Sequence, residues 1–263
     1  MRFTLSSSAL SSRLSTLSRV INSKNSLPIL DCFLFEVSNG QLSITASDSE
    51  NVMKTTIQLD ECDGNGNFAV PNRIILDAVR ELAEQPLSIE FTPENYTIKI
   101  VYQNGVYHFN AQSAEEYPKT TPITEGATVI TIDSSVLGDN LSRCLFATAQ
   151  DELRPVMNGI YFDLTPESLA IVASDGHKLV RNKLLNIHNE MPAAFILPKK
   201  PAGILKNILS KDGGDVIIKF DGRNAEISFA DGFLSCRLIE GRYPNYNSVI
   251  PQNNPNRVTI DRK

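Results

Sequence analysis

Apolar residues return along this chain in two rhythms, and the switches between them mark its elements. Between residues 7 and 21, Leu10, Leu14, Leu17 and Ile21 recur at i, i+4, i+7 and i+11, the stripe of a helix packed by one face. Between 72 and 83, Ile75, Ala78, Val79 and Leu82 make a second such stripe. Elsewhere the runs are short and strand-like, at 2–5, 30–37, 41–46, 52–59, 68–70, 87–91, 96–102 and 106–111, with turn pairs such as Asn39-Gly40 between them. The order is β-α-β-β-β, twice. Strands joined by tight turns pair antiparallel, so the predicted class is α+β rather than a wound parallel sheet.

The whole pattern then recurs. At an offset of 127, SITASD (43–48) meets AIVASD (170–175), FAVP (68–71) meets FILP (195–198), and Arg73 meets Lys200. FTLSSSAL (3–10) meets ITIDSSVL (130–137), and Tyr117-Pro118 meets Tyr243-Pro244 one position out of step. Register kept across separated segments is the mark of duplication. The expected units are residues 1–122 and 128–246. RVTIDRK (257–263) echoes VITIDSS (129–135), so 247–263 reads as a linker and the first strand of a third copy that goes no further. Each repeat pools about eight strands and two helices.

Composition narrows the function classes. The chain has 263 residues, 41% hydrophobic, with 25 Lys+Arg against 30 Asp+Glu. That is too apolar and too weakly charged for disorder, and no run approaches the ~20 apolar residues of a membrane span. No secretory h-region follows Arg2. Cys32, Cys62, Cys144 and Cys236 are scattered without a C-x-x-C pair, which suits buried thiols in a reducing cytoplasm. His108, His177 and His188 show no ligand spacing, and no Walker A, G-x-S-x-G or H-E-x-x-H pattern occurs, so neither metal, cofactor nor catalytic residue is expected. Ser174, Asp175 and His177 are too close in sequence to converge as a triad. The charge is unevenly laid out: residues 1–125 hold nine Lys+Arg against fifteen Asp+Glu, yet Arg13, Arg19, Lys24, Arg73 and Arg80 lie on the predicted helices or the loop after the first. Arg143, Lys199, Lys200, Lys206 and Lys211 fall on the matching elements of the second repeat.

Four segments carry a resemblance: SLPIL (26–30), LRPVMNGIYFD (153–163), VASDGHKLV (172–180) and EGRYPNYNSVIP (240–251). In order and spacing they resemble the bacterial DNA polymerase III β-subunit family, the replication sliding clamps. The resemblance implies a DNA-clamp fold, with sheets outside and two helices per domain facing a DNA channel. It implies three domains per subunit and a head-to-tail homodimeric ring, so a chain lacking most of the third domain should not close that ring. It implies duplex DNA, the replicative polymerase, the clamp loader and repair proteins as partners. It also makes Lys24, Arg73, Arg80, Gln150, Arg154, Lys199 and Lys200 the candidate DNA-facing residues. Met157, Ser174, Gly176, His177, Lys178, Leu179, Pro244 and Val249 become one wall of a cleft for short apolar-ended peptides, with Met157, Leu179, Pro244 and Val249 expected as an exposed apolar patch. Taken without the family, Ser174–His177 reads as an ordinary turn and the helix cations as solvated charge. Two other functions stand beside the clamp. One is a two-domain clamp of the trimeric eukaryotic kind, which the third-copy echo disfavours. The other is a small hydrolase using Asp175 and His177.

Overall fold

The computed structural model describes residues 1–25, 27–119, 122–123, 126–151, 153–209, 213–230, 232–256 and 258–261. In chain order the first repeat contains β1 (Arg2–Ser6), α1 (Ser7–Leu17), β2 (Cys32–Ser38), β3 (Gln41–Ser47), β4 (Asn51–Gln58) and β5 (Glu61–Asp63). Its second half contains β6 (Gly66–Pro71), α2 (Asn72–Arg80), β7 (Pro86–Thr92), β8 (Thr97–Tyr102) and β9 (Gly105–Asn110). The second repeat runs β10 (Thr128–Asp133), α3 (Ser134–Leu145), β11 (Gly159–Leu164), β12 (Leu169–Ser174) and β13 (Leu179–Leu184), then β14 (Ala193–Pro198), α4 (Lys199–Ile208), β15 (Asp215–Phe220), β16 (Asn224–Phe229) and β17 (Gly232–Arg237). The expected β-α-β-β-β unit is present four times. β5 is an addition: all three of its residues are exposed, so no apolar pattern announced it.

α1 and α3 begin at side-chain caps, whereas α2 and α4 follow Pro71 and Pro198 without one. The Ser6 hydroxyl accepts from the Ala9 amide, and the Asp133 carboxylate accepts from Ser135 and Val136. α1 stops at Leu17, short of the expected Ile21, because the Arg19 and Val20 amides tighten onto Thr16 and Leu17. Ile21 still packs on the core from the following turn. α2 likewise stops at Arg80, with Leu82 bonded back to Val79. Leu30 belongs to a short 3-10 turn, Pro28–Asp31, rather than to β2.

Within each repeat the halves exchange their first strands. β1 joins β7-β8-β9 and β6 joins β2-β3-β4; β10 joins β15-β16-β17 and β14 joins β11-β12-β13. All these pairings are antiparallel. The duplication reaches the core. Phe35, Phe68 and Phe91 form an aromatic chain with centroids 5.5 and 4.3 Å apart, and Phe162, Phe195 and Phe220 form its counterpart at 4.5 and 4.4 Å. The repeats are fused by a ladder between β4 and β17, from Asn51 opposite Cys236 to Thr55 opposite Gly232, which makes one eight-stranded sheet. Gly232 is required there, because an added Cβ would run into the Lys54 carbonyl. α1 packs on α2 and α3 on α4.

Residues 258–261 are exposed and form no strand, so the expected opening strand of a third copy is not made among the described residues. A single strand with no ladder to join leaves its backbone groups to water. Ser26, Lys211, Arg257, Arg262 and Lys263, named in the sequence reading, lie outside the described residues. No helix among the described residues is long and apolar enough to cross a membrane.

Candidate partner pocket and nucleic-acid interface

The turn between β12 and β13 is built from its own side chains. Asp175 Oδ1 accepts from the His177 amide (2.9 Å) and the Lys178 amide (2.8 Å), while Ser174 Oγ accepts from the Gly176 amide (3.1 Å) and donates to the Lys178 carbonyl (2.7 Å). Gly176 takes a left-handed φ of 90°, which an L side chain adopts only under strain. The two amides, joined by the Lys178 ammonium at 3.0 Å, hold the Asp175 carboxyl far below the usual range. Asp175 is therefore a structural anion, and the plain turn reading accounts for Ser174 and Asp175.

This turn also walls a cavity of about 420 Å³. All eight predicted peptide-wall residues line it: Met157, Ser174, Gly176, His177, Lys178, Leu179, Pro244 and Val249. Met157, from the 3-10 turn Pro155–Asn158, is buried at 5% exposure and forms floor. Of the patch expected to be exposed, Pro244 and Val249 (67%) are exposed, Leu179 is half-buried and Met157 is buried. Three further lining residues, Tyr243, Asn245 and Tyr246, were not singled out from the sequence, although they surround Pro244 in the same block. Tyr161 stacks on Tyr243 at 4.6 Å and meets Tyr246 edge-on at 6.3 Å. The Tyr246 hydroxyl donates to Asp163 (2.8 Å), which fixes that ring as a wall. Arg154 also lines the cavity, its Nε 2.8 Å from Asp151 Oδ2, so the structure groups it with this wall rather than with the helix cations. An aromatic and aliphatic floor under a rim of Arg154, His177 and Lys178 suits an apolar side chain followed by a carboxylate or carbonyl.

The cationic candidates fall into separate places. Lys24 is exposed in the segment after α1, and Arg73 is exposed at the start of α2. Arg73, Ile74 and Asn72 border a cleft of about 640 Å³ with Ser18, Ile21, Asn22 and Ser23. Lys199 and Lys200 open α4 and approach the same segment through Lys200, which bonds to Val20 and Asn22. Arg80 lies exposed at the other end of α2, and Gln150 is exposed beyond the end of α3. Arg73 and the segment leading into Lys24 thus border one cleft, and Lys200 reaches the same segment. No cluster able to hold a metal ion occurs among the described residues.

Residues 1–121 match the DNA polymerase III beta subunit, N-terminal domain, and residues 131–245 match the central domain of the same subunit. The chain is 28% identical to the beta sliding clamp of Buchnera aphidicola over 263 residues, covering all of this chain and 71% of that one. It is 26% identical to the beta sliding clamp of Pseudomonas aeruginosa, again over the full chain and 71% of the relative. Among solved structures, the DNA polymerase III subunit beta of Pseudomonas aeruginosa superposes with a TM-score of 0.89 at 25% identity, over 97% of this chain and 69% of that one. The β subunit of Thermotoga maritima gives 0.83 at 28% identity, over 95% and 68%.

Proposed function

The chain belongs to the bacterial DNA polymerase III β-subunit family, and from that premise we propose that it serves as a replication processivity clamp, encircling duplex DNA and tethering the polymerase to it. The role is topological and non-catalytic. The observation that carries the reading is the eight-stranded sheet through β4 and β17, which joins two like repeats edge to edge, each with its own packed pair of helices. We take residues 1–122 and 128–246 as the two domains and 247–263 as the lead into a third. The strands β9 and β13 remain as sheet edges, suited to the same edge-to-edge joining in a head-to-tail ring.

Lys24, Arg73, Arg80, Gln150 and Lys199 are the residues we assign to phosphate contact. The cavity under Gly176–Leu179 is assigned to the apolar-ended peptides of polymerase, clamp loader and repair proteins. The cytoplasm is the compartment where those partners meet. The trimeric alternative is less well supported, since both halves match parts of one longer bacterial subunit. The hydrolase alternative loses Asp175, whose carboxylate is committed to its own turn.

Retention on circular duplex tests the proposal. The chain alone should leave a nicked circle in high salt, because phosphate contact by itself is lost steeply as salt rises. The chain extended by a β-subunit third domain should stay until the circle is cut. Release of both from intact circles would overturn the clamp reading.

A further inference from the structure

Lys200 was expected to face DNA, yet its ammonium turns to the other repeat. It donates to the Val20 carbonyl (2.5 Å), to Asn22 Oδ1 (2.6 Å) and to Asp48 Oδ2. An ammonium has three donors, and these contacts use them all. Asp48 is held as firmly. Its side chain is 4% exposed, and its Oδ1 accepts from the Glu50 amide (3.0 Å) and the Asn51 amide (2.7 Å). The counterpart turn of the second repeat explains why the cation comes from so far away. There Asp175 receives the same two amides, but its cation is local, Lys178 at 3.0 Å. The residue standing in Lys178's place in the first repeat is Asn51, which is neutral. The first repeat supplies no cation of its own at that position, and the first turn of α4 brings one.

The contact bears on more than a turn. Val20 and Asn22 lead directly into Lys24, and Asn25 closes the same segment by donating to the Asn22 carbonyl (3.2 Å) and to Asp31 (2.7 Å). The β4–β17 ladder joins the repeats through the sheet, and Lys200 joins them a second time through the helices. We infer that Lys200 is a cross-domain positioning residue: it holds the 20–25 segment, and Lys24 with it, against α4, and is not itself a DNA ligand. The part concerning Lys24 rests on the clamp reading; the strut does not.

Two measurements on this chain separate the possibilities. In amide exchange without DNA, Lys200→Met and Asp48→Asn should each speed exchange across 20–25 by about tenfold while leaving α3 unchanged. Unchanged exchange in both variants would overturn the strut. In titrations with a short linear duplex at several salt concentrations, Asp48→Asn should weaken binding, although it removes an anion that would otherwise repel phosphate. Were Lys200 a phosphate ligand instead, Lys200→Met would lower the slope of log K against log salt by about 0.9 and Asp48→Asn would tighten binding; that pair of results would also overturn the inference. Duplex binding by the parent that Lys24→Ala does not weaken would overturn the part concerning Lys24, and the exchange rates alone then decide the strut.

Discussion

Replacing glycine by alanine at two positions should move stability in opposite directions, and the geometry says which way each goes. Gly176 has φ 90°, and a Cβ there would stand 3.1 Å from Arg154 Nη1. Holding an L residue in that region costs roughly 1–2 kcal/mol. The guanidinium is the far end of a flexible side chain, so it swings aside and adds little to the cost, but it leaves the pocket wall as it does so. A loss of about 1 kcal/mol lowers the Tm of a chain of this size by roughly 2–4 °C. Gly203 lies inside α4, with nothing within 4 Å of the position of its Cβ. Alanine there removes the helix penalty of glycine and stabilises by about 0.5–1 kcal/mol. Calorimetry should therefore show Gly176→Ala melting below the parent and Gly203→Ala above it. Titration with an apolar-ended peptide should show weaker binding to Gly176→Ala alone. Equal melting shifts for the two variants, or a stabilised Gly176→Ala, would refute the strained-turn account.

Leu179→Asp should abolish peptide binding while leaving the fold intact, since Leu179 is only half-buried and its loss leaves a charge unpaired where the apolar end would sit; shifts on NMR titration that avoid 174–179 and Pro244 would count against the assignment. Acid stability should depend on Asp48. Burial raises its carboxyl, but the bonds from Lys200 and Asn51 outweigh that and hold it below its ordinary 3.8. Its stabilisation is therefore complete above 3.8 and lost as pH falls through the lower folded value, so urea midpoints taken on acidification should fall less steeply for Asp48→Asn. Burial pushes Cys32 and Cys144 up to about 11 and Cys236 up to about 12, whereas Cys62 is exposed, so a thiol reagent should find one fast cysteine in the native protein and four after unfolding.

Periodicity reports how a residue stands toward its own element, and there the sequence was legible. The stripes of Leu10, Leu14 and Leu17 and of Ile75 and Val79 are buried, and the offset of 127 that pairs Phe35 with Phe162 and Phe68 with Phe195 recurs as matched aromatic stacking in both cores. The pocket was legible for a related reason: most of its wall comes from two short continuous segments, so residues close in sequence are close in space. Reach across the fold was not. Lys200 and Arg154 are both cations near element starts, and their sequence neighbourhoods do not say that one spans to Asp48 while the other folds over Gly176. The junction between repeats was hidden more deeply. A ladder such as β4–β17 is made by backbone donors and acceptors, which every strand carries alike, so its side-chain pattern does not distinguish an edge that meets a second domain from one that meets water. Gly232 is the exception. It sits where the two backbones approach too closely for any Cβ, so the one visible trace of the junction is a missing side chain, and it becomes readable only once the opposing strand is known.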